Sequence, residues 1–351
     1  MWGCGGYTAP RGLPRRGDAG RRVASCLARH NHATTRRPHH AVEGNRSAKR
    51  GGRQRIRAVP LIYGRSMETS KPDGDELIRN ELLDRIASFV DYIGDTARLR
   101  RLTERGMHGL FGSLRLFEMV ANEAKDPTAA QVARVDETRL WTAAAQVEID
   151  SDFALLHGHS LMGAWGALES MVEDVAMLWI LHADAVQSRP AFSKMKVTIA
   201  NFLRLDDREQ AAFLVGELQR STASDLKPGV GQFEAVLDDI GLGGSVDAGV
   251  RRALYYGQQL RNLVAHRGSV ADRRFLEACP NLSYKINDKV RVSTAQFVDV
   301  TNSMQAYAVT LADRVCFAFG LKATGATVPG SPGATFLPAA DNKSAGGVAA
   351  P

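Results

Sequence analysis

The chain has 351 residues, 44% hydrophobic and 24% charged, with a formal net charge of +7. That length holds two domains, or one domain with tails. Four cysteines, with no Cys-x2-Cys pair and no Cys/His cluster at zinc spacing, argue against a disulfide framework and a zinc module and fit a reducing cytoplasm.

The positive charge is unevenly placed. Residues 1–66 hold 15 Lys/Arg against 2 Asp/Glu, while residues 67–351 hold 30 against 36. The body is therefore mildly acidic, and a high isoelectric point is no argument for nucleic-acid binding. Residues 1–66 are rich in Arg, Gly, Pro, His and Ala without sustained apolar period, which predicts a disordered basic arm. Three readings of that arm stay open: an organellar transit peptide, a nucleic-acid-binding arm, or translated upstream sequence with Met67 as the functional start. No apolar run approaches the ~20 residues that cross a bilayer, and no apolar core of a secretory signal is present, so the expectation is a cytoplasmic chain without a membrane partner.

Residues 67–150 read as an N-terminal helical region. Leu77, Leu82, Leu83, Ile86, Phe89, Val90 and Ile93 recur at three- and four-residue steps, predicting a helix from Asp73. Gly106, Gly109 and Gly112 predict its interruption. A second helix carries Leu114, Leu116, Phe117 and Val120 and stops before Pro127; a third begins near Thr128 and runs through Val132, Val135, Leu140 and Trp141. After Ser151-Asp152 the longest buried helix begins, with Leu155, Leu156, His159, Met162, Trp165, Leu168, Val172, Val175 and Trp179 on one broad stripe.

Residues 191–240 predict three shorter helices, one opened by Asp206 with Glu209 as its reciprocal partner. Asp225–Gly229 reads as a turn. Gly241-Leu242-Gly243-Gly244-Ser245 also reads as a turn, because it lacks the strand-then-helix context of a dinucleotide loop. The next helix runs from about Asp247 to His266, with Gly268 as its stop. A short helix over 272–278 follows. Ser283–Ile286 and Val290–Val292 flank Asn287-Asp288-Lys289, predicting a small hairpin. Ser293 and Gln296 form a capping box for a last helix to about Phe319, and residues 321–351, rich in Ala, Gly, Pro, Ser and Thr, predict a disordered tail. No parallel α/β alternation is present, so the fold class is all-α: a helical bundle with at most one small β-hairpin before the last helix.

The most informative residues are Arg261, Asn262 and His266, in the run Leu260-Arg261-Asn262-Leu263-Val264-Ala265-His266-Arg267-Gly268. Asn262 and His266 are four apart and share a helix face. Arg261 is one residue round, with a side chain long enough to reach the same region. A fixed cation, an amide and a side chain that titrates near neutral pH suit phosphodiester cleavage without a metal. The plainer reading is a basic helix C-terminus complementing its own dipole.

The stretch from Arg261 to Pro280 resembles the signature region of the HEPN superfamily. It looks closest to bacterial members with Arg-Asn-x3-His, then Gly, then an Asp-Arg-Phe-Leu-like helix. Ser160–Glu169 is similar to their first bundle helix, and Gln232-Phe233-Glu234 with Ile240-Gly241-Leu242 to the segment before their motif helix. The resemblance covers residues 151–320. It implies a helical bundle that dimerises to bring two motifs together, with RNA or a nucleotide as ligand and an antitoxin as a further partner. The implied activity is that of a metal-independent RNase of toxin or phage-defence systems, with no cofactor. The alternative within the family is a non-catalytic nucleotide- or protein-binding module. In the RNase reading Arg261 binds the scissile phosphate and stabilises the pentacoordinate charge, His266 is general base or acid, and Asn262 orients His266 or a phosphate oxygen.

Other residues read more plainly. His157 and His159 point to different sides of a helix, so they make a poor metal pair and read as structural. Trp165, Trp179 and Phe153 read as core or interface, and Glu169 and Glu173 as a solvated or ion-paired face. Tyr255, Tyr256 and Arg267 are candidates to line the motif site, with core packing the alternative for the tyrosines.

Overall fold

The computed structural model describes residues 74–183, 186, 188–222, 228–328, 330 and 332–336. The basic arm over 1–66, residues 225–227 of the expected turn, and the end of the tail over 337–351 lie outside the described residues.

Ten helices follow in order among them: α1 Gly74–Glu123, α2 Ala129–Asp150, α3 Ala154–His182, α4 Pro190–Ser193, α5 Ile199–Phe202, α6 Asp207–Thr222, α7 Gly231–Ile240, α8 Ala248–Arg267, α9 Arg273–Ala278 and α10 Thr294–Ala318, then a 3-10 turn Ala334–Phe336. The described residues are therefore all-α, and none of their helices is long and apolar enough to cross a membrane.

The expected break at Gly106, Gly109 and Gly112 does not occur: α1 runs through them as one helix of 50 residues, about 75 Å long at 1.5 Å per residue. Glycine lowers helix stability by about 1 kcal/mol per interior position but keeps its backbone hydrogen bonds, so it is a weak stop when a partner helix is present. That partner is α2, which packs antiparallel along the second half of α1. A capping box closes its start, with Thr128 and Gln131 exchanging backbone and side-chain bonds.

The core is built around α3, where Leu161, Ala164, Trp165, Leu168, Val175 and Ala176 are wholly buried. It packs against α1, α6, α7, α8 and α10. Leu82, Leu83, Ile86, Phe89 and Ile93 of α1 belong to that same core. The apolar stripes of α3 and α10, broader than one bundle layer needs, are thus covered within the chain. Gly257 sets the approach of α8 to α10: a Cβ there would lie 2.7 Å from Val300 Cγ1.

Buried polar groups are tied between elements. Glu234 of α7 accepts from the Tyr307 hydroxyl at 2.6 Å and from Arg314 Nη1 at 3.0 Å, both on α10, and from Gly244 N at 3.0 Å. His157, fully buried, stacks on Phe297 with centroids 5.3 Å apart. Its Nδ1 lies 3.1 Å from the Val292 carbonyl and its Nε2 lies 3.4 Å from Arg100 Nη1. A neutral ring donating from Nδ1 and accepting at Nε2 satisfies both, in line with the structural role read from the sequence. Arg100 is also paired with Glu104. Cys279 is buried and its thiol is pushed up to about 12 by desolvation, so it is no nucleophile at neutral pH.

Two terminal expectations are corrected. The expected hairpin over 283–292 forms no strand ladder, its arms meeting through the Tyr284 hydroxyl and the Arg291 carbonyl at 3.3 Å, and no strand occurs among the described residues. Asp288 closes a turn by accepting from Lys285 N at 2.7 Å, and the outer edge bonds instead to the segment after α8: Ala271 N to Asp288 O at 2.9 Å, Val290 N to Ser269 O at 2.8 Å. The expected disordered tail is ordered at 332–336. Asp299 of α10 accepts from Gly333 N at 2.7 Å and Thr335 N at 2.9 Å, and Phe336 stacks on Tyr256 with centroids 4.8 Å apart. One aromatic side chain and one buried carboxylate suffice to dock a segment whose composition reads as disordered. Between 190 and 222 the chain forms two four-residue helices before α6, so residues 190–240 hold four helices rather than three.

Two outcomes follow. Phe336→Ala should cost about 3 kcal/mol in urea unfolding, the scale of losing a buried Phe; a change near zero would show the tail contact to be unimportant. Burial holds the His157 imidazole below its ordinary value of 6.5, against the pull of the Val292 carbonyl, Glu104 and Asp152. The unfolded chain therefore takes up this proton first as pH falls, and stability should drop as pH descends through 6.5. In His157→Gln that part of the slope should vanish, measured as unfolding free energy from pH 8 to 5.

Candidate functional site

The motif lies on the last turns of α8, whose start is capped by Asp247 (2.8 Å to Gly249 N) and whose end is closed by Gly268 at φ 56°. Left-handed backbone there suits glycine and stops the helix directly after Arg267. Lys289 Nζ donates to the Gly268 carbonyl, placing a cation on the negative end of α8.

Arg261 and Asn262 are brought together: Arg261 Nη1 donates to Asn262 Oδ1 at 3.0 Å. Arg261 Nη2 also faces Glu169 Oε2 of α3 at 3.6 Å, while the other oxygen of Glu169 accepts from Trp165 Nε1 at 2.8 Å. Gly158 packs under Val264, a Cβ there lying 3.4 Å from Cγ1, so α3 and α8 run close along the motif. His266 is exposed, on the solvent side of the helix end. Arg267 is exposed too and pairs with Asp272 Oδ2 at 3.4 Å.

The two tyrosines separate. Tyr256 is core, not site lining: it is buried, stacked on Phe336, and its hydroxyl accepts from Asn281 Nδ2 at 3.0 Å. Tyr255 is half-buried, seven residues before Asn262 on the same helix face, with its backbone against Gly229. Burial raises both phenols above their ordinary range, so neither is an acid–base group near neutral pH.

Three features escaped the sequence reading. Glu169 neutralises Arg261, a pairing across the chain that no local spacing reveals. Gln258 reaches back from α8 to accept from Gly229 N at 2.6 Å and donate to Gln232 Oε1 at 3.0 Å, fixing the loop beside Tyr255. Residues 261–291 hold seven Lys/Arg against three Asp/Glu, so this end is basic although the body is acidic. The turn at 285–288 and the bridge between Val270 and Lys289 bring Lys289 and its neighbours to the α8 end.

An open cleft of about 680 Å3 runs along α7, bordered by Glu169, Glu173, Asp238 and Asp239. Its acidic border does not suit a phosphate. No group of three or more His, Cys, Asp or Glu able to hold a metal occurs among the described residues. Comparisons with protein-family models, curated proteins and solved structures found no match to any of them.

His266→Ala should leave thermal unfolding within about 1 kcal/mol of wild type, since an exposed helix-end side chain contributes little beyond dipole complementation. A larger loss would make His266 a structural cap.

Proposed function

We propose that the chain is a metal-independent endoribonuclease of toxin or phage-defence type, cleaving RNA at a site composed from two copies of the motif. What supports the reading is the grouping of Arg261, Asn262 and exposed His266 at the basic end of α8, together with the HEPN-like signature from Arg261 to Pro280. On this reading α3 and α8 are helices of a HEPN-type bundle in a cytoplasmic protein, with an antitoxin as further partner.

His266 takes the proton of a ribose 2′-hydroxyl, and the freed oxygen attacks the adjacent phosphorus. The bond to the 5′-oxygen breaks and that oxygen takes a proton, leaving a 2′,3′-cyclic phosphate and a 5′-hydroxyl. Arg261 stabilises the charge on the pentacoordinate phosphate. One chain carries one His266, and the reaction uses a base and an acid, so a second copy of the motif supplies the other group. Glu169 must yield Arg261 to the phosphate. A partly exposed pair at 3.6 Å is worth at most about 1 kcal/mol, so the exchange costs little.

A second reading is favoured by that same ion pair. An Arg261 neutralised by Glu169 fits a non-catalytic module that binds a nucleotide or a protein. RNA degradation by purified protein in EDTA separates the two. The nuclease reading expects cyclic-phosphate ends, no action on DNA, and a loss of about 10²–10⁴-fold in His266→Ala, with Arg261→Ala not additive to it. Equal cleavage by wild type and His266→Ala would end the catalytic assignment. No turnover, with binding weakened more by Arg261→Ala than by His266→Ala, is the outcome for the binding module.

A further inference from the structure

The helical hairpin of α1 and α2 is poorly supported from within. His108 meets the Phe153 ring of the α2–α3 junction at 5.8 Å; beyond it, α1 is held to α2 through Phe117 under Arg134 and Glu118 with Arg139. The buried positions of α2 are small or polar: Val135, Thr138, Thr142 and Ala145. The large apolar side chains face outward instead. Leu102, Leu116 and Val120 of α1 and Leu140, Trp141 and Val147 of α2 are 48–74% exposed. On α1 they belong to one stripe with Gly106, Gly109 and Ser113, at three- and four-residue steps, and space beside both glycines is open. The Phe117–Arg134 contact joins that side of α1 to the side of α2 that carries Trp141, one heptad beyond Arg134.

The hairpin is also charge-complementary to itself. Arg101, Arg105 and Arg115 are exposed on α1, where Arg98 is met by Asp95 at 2.5 Å, whereas Asp136, Glu137 and Asp150 are exposed on α2. The cations of α2 are occupied within the hairpin, Arg134 by Phe117 and Arg139 by both Glu118 and Asp136, the latter at 3.1 Å. A two-fold axis sets the acidic α2 of one copy against the basic α1 of the other, twice over.

We infer that this face docks a second copy of the chain, the two hairpins closing into an antiparallel four-helix bundle. Open glycines on α1 let the partner helix approach closely, and the outward Leu and Trp side chains become its core. The inference makes no use of the Arg261–His266 site, and stands or falls separately from it.

Light scattering on the full chain at tens of micromolar is the test. The expected mass is two chains. Trp141→Lys, at a position 61% exposed and so harmless to the monomer, should raise the dissociation constant at least about tenfold with unchanged far-UV circular dichroism. A variant with Arg101 and Arg105 changed to Glu, and another with Asp136 and Glu137 changed to Lys, should each associate at least about tenfold more weakly than wild type. Mixed, they should restore the dimer, because only the mixture pairs opposite charges at both contacts. A wild-type monomer would overturn the inference, as would a dimer indifferent to Trp141→Lys or a mixture that associates no more tightly than either variant alone.

Discussion

Helix α3 cannot face water along most of its length. Its buried side chains, from Leu161 and Trp165 through Met171 to Leu178 and Ile180, spread over more than half of its circumference. Burial of such a helix needs neighbours on several sides, and the other long helices take their positions from it. The first half of α1, together with α6, α7, α8 and α10, packs against this surface. The register of the motif follows from the same contact, since Gly158 admits Val264 and Glu169 meets Arg261 one helix face further along.

Much of the architecture was legible because it is written in local chemistry. The caps at Thr128, Asp206, Asp247 and Ser293 are short-range hydrogen-bond patterns, and each starts a helix where the residues say it should. What misled was punctuation that depends on a distant partner. Three glycines in α1 read as a break because their cost is local, while the compensating contact with α2 is not. Residues 283–292 alternate like a hairpin, but the free edge beside them belongs to residues 269–271, and the chain pairs there. Phe336 stands in a stretch of small residues, and nothing in that stretch says that Tyr256 waits for it.

The motif itself was legible as a grouping on one helix end, and Arg261 and Asn262 are in contact. Its electrostatics were not. The carboxylate that faces Arg261 comes from α3, far back in the chain, and three of the cations that make this end basic, Lys285, Lys289 and Arg291, come from a segment that reads as a hairpin and bonds instead beside the end of α8. Tyr256 illustrates the limit of counting residues along a helix: seen from the motif it lies about a turn and a half away, yet its face is the one that packs inward against Phe336 of the tail and Asn281 after α9.

The two connections between the hairpin and the body are unlike each other. On one side α1 passes from core to tip without a break. On the other, α2 meets α3 through Asp152 and Phe153, both in left-handed backbone at φ 56° and 55°, a conformation that costs a non-glycine residue about 1 kcal/mol or more. The Asp152 carboxylate answers that cost by taking both Thr294 N at 2.6 Å and Thr294 Oγ1 at 2.7 Å, which pins the joint to the first turn of α10. An unbroken rod and a clamped elbow together leave no hinge. The hairpin therefore acts as a spacer of set length: from Arg100 in the core to Glu123 at the tip is about 35 Å of helix, and whatever is held at the tip is held at that distance and at one angle to the body.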